Sequence, residues 1–304
     1  VKILDAELSV EILGLRLKNP TLLASGIVGT TYELMKKCIK AGASAVVTKS
    51  IGLKARKGFP NPTIVGTSCG LINALGLPNP GVKEMSKEIR KLKEDGIIVI
   101  ASIYGFSSSE YVEVAKAVEK AGADALELNI SCPHVKEVGV EIGQNPKAAY
   151  EVTSSVKSKV SIPVIVKLTP NVTDIISVAK AVEKAGADAL TAINTVRAMA
   201  IDIELKMPIL AAKIGGLSGP AIKPIAIRCV YEISKNVKIP IIGCGGIINW
   251  QDAIEMLLAG ASAVQIGTGI LYRGFKIFKE INDGIANYLK NNNLKSIKDL
   301  KPIE

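Results

Sequence analysis

Thirteen residues, VAKAVEKAGADAL, occur twice without change, at 114–126 and again at 178–190. Looser copies, MKKCIKAGASAVV and AIEMLLAGASAVQ, occupy 35–47 and 253–265. In the first copy Val114, Val118 and Ala121 fall on one helical face, and Lys116, Glu119 and Lys120 on the other. Gly122 follows where the helix must stop, because glycine accepts the left-handed conformation that ends helices. An apolar run begins at once. Each copy therefore reads as a helix that feeds the chain into a buried strand.

The copies lie roughly 64 to 80 residues apart, about twice the length of one strand–helix unit, so each gap should hold a further strand. The candidate strands are 21–25 (TLLAS), 45–49 (AVVTK), 97–103 (IIVIASI), 125–130 (ALELNI), 163–168 (PVIVKL), 189–194 (ALTAIN), 239–243 (IPIIG) and 263–267 (AVQIG). Eight buried strands alternating with helices predict an α/β fold, a (β/α)8 TIM barrel forming a single domain over 1–304. A doubly wound open sheet is the alternative, since strand count does not prove closure. The alternating LSVEILGLRLKN at 8–19 predicts a short N-terminal β-hairpin across the barrel floor. The tail at 287–304, NYLKNNNLKSIKDLKPIE, reads as an exposed helical end.

Charge and cysteine content narrow the function. Thirty-eight Lys and Arg against 28 Asp and Glu give +10, but the excess is spread through helices such as KEMSKEIRKLKED at 83–95. With no aromatic-and-basic stripe, this is a solvated face that favours anionic small molecules over nucleic acid. Five scattered cysteines with no C-x-x-C pair exclude a disulfide framework and a zinc or iron–sulfur cradle. No metal site is expected. A reducing cytoplasmic setting fits, as no run is long enough to span a membrane and VKILDAELSV lacks a signal-peptide layout.

Active sites of such barrels form at the C-terminal ends of the strands. Those ends carry Ser25, Lys49, Ser50, Ser102, Asn129, Cys132, Lys167, Ile193, Asn194, Thr195, Gly245, Gly246, Gly267 and Thr268. GCGG (243–246), IGTG (266–269) and GGLSG (215–219) suit a phosphate, because glycine lets bare backbone N–H groups approach the oxygens. Neither a P-loop nor a dinucleotide fingerprint is present, so a mononucleotide cofactor fits better than NAD. Lys167, inside a buried strand, needs an anion: an ion pair with Glu127, a cofactor, or a carbonyl substrate in a Schiff base. Cys132 precedes the strand-breaking Pro133 and a glycine-bearing loop, a setting for a thiol that acts as a base. His134, the chain's one histidine, stands two residues further on as a possible partner for it.

Taken together, LKNPTLLASG, NALGLPNPG, ELNISCP, INT, GGLSGPAIKPIAIR, PIIGCGG and AGASAVQIGT resemble the class 1 dihydroorotate dehydrogenases, along nearly the whole chain. The pairing of ISCP with GGLSGPAIKP is most similar to subclass 1B. That resemblance implies oxidation of (S)-dihydroorotate to orotate in pyrimidine biosynthesis, with one FMN per chain. Cofactor contacts would come from Ser25, Lys49, Ser50, Ser102, Asn129, Lys167, Ile193, Gly219, Gly245, Gly246, Gly267 and Thr268. Substrate contacts would come from Lys49, the loop Asn73, Ala74, Leu75, Gly76 and Leu77, and from Asn129, Asn194 and Thr195. Cys132 would be the base and Lys167 would stabilise the reduced flavin. A homodimer of this chain would join a partner subunit carrying FAD and a 2Fe–2S cluster that passes electrons to NAD. Two departures stand out: His134 and Ser102 replace residues that are usually Asn. Alternatives are a dihydropyrimidine dehydrogenase, which shares SCPH, a fumarate-using subclass 1A enzyme, a lysine aldolase, and a phosphometabolite-binding protein without chemistry.

Overall fold

A computed structural model describes residues 6–130 and 139–303, with the side chains of 139–141 left aside. Cys132 and His134 lie outside the described residues. Eight parallel strands close into a barrel: Thr21–Leu23, Ala45–Val47, Val99–Ile103, Ala125–Asn129, Val164–Leu168, Ala189–Ala192, Ile241–Cys244 and Ala263–Ile266. They are called barrel strands one to eight below. Each pairs with its neighbours in chain order and the eighth pairs with the first, so the sheet has no edge and the open-sheet alternative falls. All eight predicted strands are present, each within the expected segment or one residue past it.

The repeat explains how this wall is held. Val114, Val118 and Ala121 are buried, while Lys116 and Lys120 are exposed. The helices of the two identical copies, Ser108–Lys120 and Ile175–Lys184, end at Gly122 and Gly186, with φ of 96° and 94°. Their acidic residues do matching work. Glu119 accepts the backbone N–H of Ser161 at 2.6 Å, and Glu183 that of Lys238 at 2.6 Å. Asp124 accepts the N–H of Val99 at 2.8 Å and pairs with Lys93. Asp188 accepts the N–H of Val164 at 2.7 Å and pairs with Lys157. Each copy thus ties a helix end to the start of a neighbouring strand, and a charge-assisted bond of this kind contributes roughly 1.5–3 kcal/mol.

The N-terminal hairpin pairs Val10–Ile12 with Leu15–Leu17 through Leu13 and Gly14, both left-handed, and buries Val10, Ile12 and Leu17 in the main core. The described tail, 287–303, is mostly exposed as expected, but Leu289 and Ile297 anchor it in the core. Ile277–Asn291 is a helix with Ile277, Phe278, Ile281, Ile285 and Leu289 buried, and beyond it Ile297 is buried too. Glu7 donates its N–H to the Lys295 carbonyl at 2.8 Å, so the two ends of the described chain meet. Polar Asn and Lys residues mask this packing in the sequence, because only every third or fourth tail residue faces the core.

A second sheet covers the barrel mouth. Val196–Met199, Ile214–Ser218, Gly70–Asn73 and Ile64–Thr67 form four antiparallel strands in that order. They rest on a small separate core of Ile72, Ala74 and Leu210. Gly215 and Gly216 belong to this sheet and not to a phosphate cradle. A Cβ on Gly216 would lie 2.1 Å from the Thr195 hydroxyl oxygen, and one on Gly215 would lie 2.6 Å from Ile72. Only Ser218 and Gly219 of the GGLSG motif reach the cavity beneath.

Candidate active site

The strand ends and the mouth sheet enclose a cavity of about 340 Å³. Every residue expected at the cofactor lines it, from Ser25 on the first strand to Thr268 after the eighth. Of the expected substrate residues, Lys49, Asn73, Leu75, Gly76, Leu77, Asn129, Asn194 and Thr195 line it as well. Ala74 does not. It turns into the small core under the mouth sheet, as strand alternation dictates for the neighbour of a cavity-facing Asn73.

One end of the cavity suits an anion. After strand seven Gly245 and Gly246 have φ of 129° and 79°, and a Cβ on Gly246 would lie 2.6 Å from Lys223 Cβ. Among the described residues the backbone N–H groups of Gly245, Gly246 and Thr268 enter no hydrogen bond. Bare donors of this kind at strands seven and eight fit a phosphate. Thr268 Oγ1 donates to Ser218 Oγ at 2.8 Å, which ties the eighth strand to the mouth sheet.

The opposite wall is a polar network. Asn129 Nδ2 donates to Ser50 Oγ at 2.9 Å, and Ser50 Oγ also faces Ser102 Oγ at 3.0 Å and Ser25 Oγ at 3.4 Å. Ser102 is fully buried and its N–H reaches Thr48 Oγ1, so the shorter side chain at this position braces Ser50. Asn129 Oδ1 faces Asn194 Nδ2 at 3.4 Å, and Asn194 Oδ1 accepts the N–H of Thr195 at 2.8 Å. The Asn129 amide therefore bridges the hydroxyl cluster and the mouth. Lys49, 9% exposed, contacts the Gly26 carbonyl at 3.4 Å.

At the cavity floor, Lys167 Nζ lies 3.5 Å from Glu127 Oε1 and donates to Gln265 Oε1 at 3.0 Å. Burial disfavours its charge, but the Cys244 sulfur and the Glu127 carboxylate outweigh burial and hold the ammonium above the ordinary lysine value. Burial pushes the Cys244 thiol up, against the pull of Lys167. The sequence reading missed Gln265 and Ser218 as site residues. Gln265 sits mid-strand with no glycine or proline to mark it; its one signal was an amide in an otherwise apolar run.

A family model described as dihydroorotate dehydrogenase matches residues 7–289. The chain belongs to that family. It is an oxidoreductase. The chain is similar to "Dihydroorotate dehydrogenase B (NAD(+)), catalytic subunit" of Pyrococcus abyssi, with 54% identity over 96% of this chain and 97% of the relative. The protein of the same name from Methanocaldococcus jannaschii is 55% identical over 95% of this chain and 96% of its own length. Among solved structures, a dihydroorotate dehydrogenase of Eimeria tenella in complex with ferulenol superposes with a TM-score of 0.86 at 25% identity. That match covers 97% of this chain and 88% of the other. No described helix is long and apolar enough to cross a membrane.

Proposed function

We propose that the chain oxidises (S)-dihydroorotate to orotate in pyrimidine biosynthesis, as the FMN-binding catalytic subunit of an NAD-linked, subclass 1B enzyme. One observation carries the reading: two buried lysines and three asparagines converge on a single cavity whose far end presents unpaired backbone N–H groups. Those groups, on Gly245, Gly246 and Thr268, suit the FMN phosphate, and Gly219 and Gly267 leave room beside it. Ser25, Ser50, Ser102, Asn129 and Ile193 would frame the ring system. FMN, when bound, supplies the acceptor for the hydride that leaves C6.

The chain's own residues then divide the work. Lys49 meets the substrate carboxylate with a compact positive charge, a feature that uracil-type substrates lack and would not require. Asn73, Asn129 and Asn194 offer paired donors and acceptors to the imide and carbonyl edges of the ring, with Thr195 and the loop to Leu77 closing over it. Cys132 takes the proton from C5. Lys167, charged at the floor, stabilises negative charge that develops on the cofactor side.

The relatives' name, a catalytic subunit of an NAD-linked enzyme, supports a separate partner. This chain would form a homodimer core flanked by subunits that carry FAD and 2Fe–2S and deliver electrons to NAD. Purified alone and loaded with FMN, the chain should bleach anaerobically on adding dihydroorotate and reduce artificial dyes. NADH formation should be almost nil until the partner is added. A flavin that dihydroorotate leaves oxidised overturns the substrate assignment. Robust NADH production by the lone chain overturns the two-subunit reading.

A further inference from the structure

Glu127 comes from the fourth barrel strand, Thr191 from the sixth and Gln265 from the eighth, and alternate strands feed one layer of a barrel interior. Bulky apolar residues usually fill such layers. Here the layer is polar and buried: Glu127 and Thr191 are fully buried and Gln265 is 1% exposed. Gln265 Nε2 donates to Glu127 Oε2 at 2.6 Å, and Thr191 Oγ1 donates to the same oxygen at 2.9 Å. Among the described residues Glu127 Oε1 accepts no hydrogen bond; the Lys167 ammonium lies 3.5 Å from it as a counter-charge. Gln265 is gripped at both ends, since its Oε1 accepts from Lys167. The carboxylate is thereby fixed by two donors on one oxygen while the other faces the lysine.

A buried amine without a counter-charge loses its proton. Lys167 faces the Cys244 sulfur from the seventh strand and the Glu127 carboxylate from the fourth, both within the wall itself. We infer that Glu127 is a positioning residue, which keeps Lys167 charged and aimed into the cavity before any anionic cofactor arrives. At 3.5 Å the carboxylate supplies charge without a short hydrogen bond to hold the ammonium down. Thr191 and Gln265 act behind it, keeping the carboxylate from turning away. The inference rests on the proposed function for its purpose, because there Lys167 meets the flavin, but the charge state it asserts belongs to the flavin-free protein.

The test is therefore made without flavin or substrate. Lysines are labelled with carbon-13 at the ε position, and the Lys167 signal is assigned by its loss in Lys167→Met. In the wild type this signal should stay that of an ammonium through the ordinary lysine range and beyond it. In Glu127→Gln the titration midpoint should fall by about two units or more, a roughly hundredfold loss of proton affinity. Glutamine keeps the shape and an oxygen for Thr191 and Gln265, so a mere packing role would leave the titration unmoved. Glu127→Asp, which retains the charge, should restore most of the shift. An unchanged Lys167 in Glu127→Gln overturns the inference. Should that variant fail to fold, a wild-type Lys167 that is neutral at about pH 8 overturns it equally. Failure of the functional reading would look different: a wild-type flavin that dihydroorotate does not reduce, with the lysine titration unaffected.

Discussion

The barrel wall and the sheet over its mouth are built on opposite plans. The wall repeats: Asp124 and Asp188, like Glu119 and Glu183, occupy equivalent positions and fasten equivalent strand starts. Each unit closes over short distances along the chain. The mouth sheet joins segments as far apart as Asn73 and Gly216, and its fit depends on glycines that let Thr195 and Ile72 pack against backbone. Stability is thus distributed and modular in the wall, whereas the substrate side depends on one long-range pairing between two locally paired couples of strands. Variants in the two regions should fail differently: wall variants in flavin retention and unfolding, mouth variants in substrate affinity alone.

The largest effect should come from the proposed base. Cys132→Ser is expected to slow flavin reduction by dihydroorotate about 10²- to 10⁴-fold near neutrality, the range of general base catalysis, while orotate binding changes little. In the wild type the rate should rise as pH approaches an ordinary thiol pKa of about 8.5, because the thiolate fraction grows with pH. Serine should show no such rise there. Stopped-flow bleaching checks both points, and a serine variant as fast as wild type removes Cys132 from the mechanism.

In the wall, Gly246→Ala should cost flavin before it costs substrate. Its φ of 79° and the 2.6 Å approach to Lys223 leave no place for a methyl group, and such strain costs about 1–3 kcal/mol. Displacing the adjacent N–H groups should weaken FMN retention by roughly one to two orders of magnitude, measured by fluorescence of released flavin. A variant that retains flavin normally would detach these glycines from the phosphate.

The modular reading can be broken directly. Asp124→Ala and Asp188→Ala each remove a charge-assisted bond to a strand N–H and a partly exposed lysine pair, so each should lower unfolding free energy by roughly 1–3 kcal/mol. Denaturant titration should give two similar losses, with flavin reduction by dihydroorotate unchanged. A difference above about 1.5 kcal/mol would mean that the identical sequences are not doing identical work.

How much of this was legible beforehand follows the same division. A helix ending at a left-handed glycine and feeding a buried strand is a local pattern, so Val114, Gly122 and Leu126 announce the wall. Strand ends of a closed barrel converge, so Lys49, Asn129 and Lys167 could be collected from their positions. The mouth sheet was invisible because its strands are only four or five residues long and largely half exposed, and the pairing that joins its two halves, Asn73 to Gly216, spans more than a hundred residues. GGLSG illustrates the cost: a glycine pair read as phosphate-binding turned out to be packing. Gln265 escaped for the converse reason, as a polar residue inside an apolar strand declares itself only through Glu127 on the other side of the barrel.

Asn73 offers the smallest effect and the sharpest test of the mouth. Its Nδ2 donates to the Gly216 carbonyl at 3.2 Å, so it both stitches two mouth strands and lines the cavity. Asn73→Ala removes one neutral hydrogen bond within the sheet and one proposed contact to the substrate ring. Losing a single such contact costs about 0.5–1.5 kcal/mol, so the KM for dihydroorotate should rise by up to roughly tenfold. Because Asn73 shares no hydrogen bond with the glycines of strands seven and eight, FMN retention should match the wild type. The half-buried position and the separate small core beneath it should likewise leave barrel unfolding nearly unmoved. A variant that loses flavin, or that unfolds as readily as the Asp124 or Asp188 variants, would show that mouth and wall are one cooperative unit. A raised KM with intact flavin and stability requires that they are two.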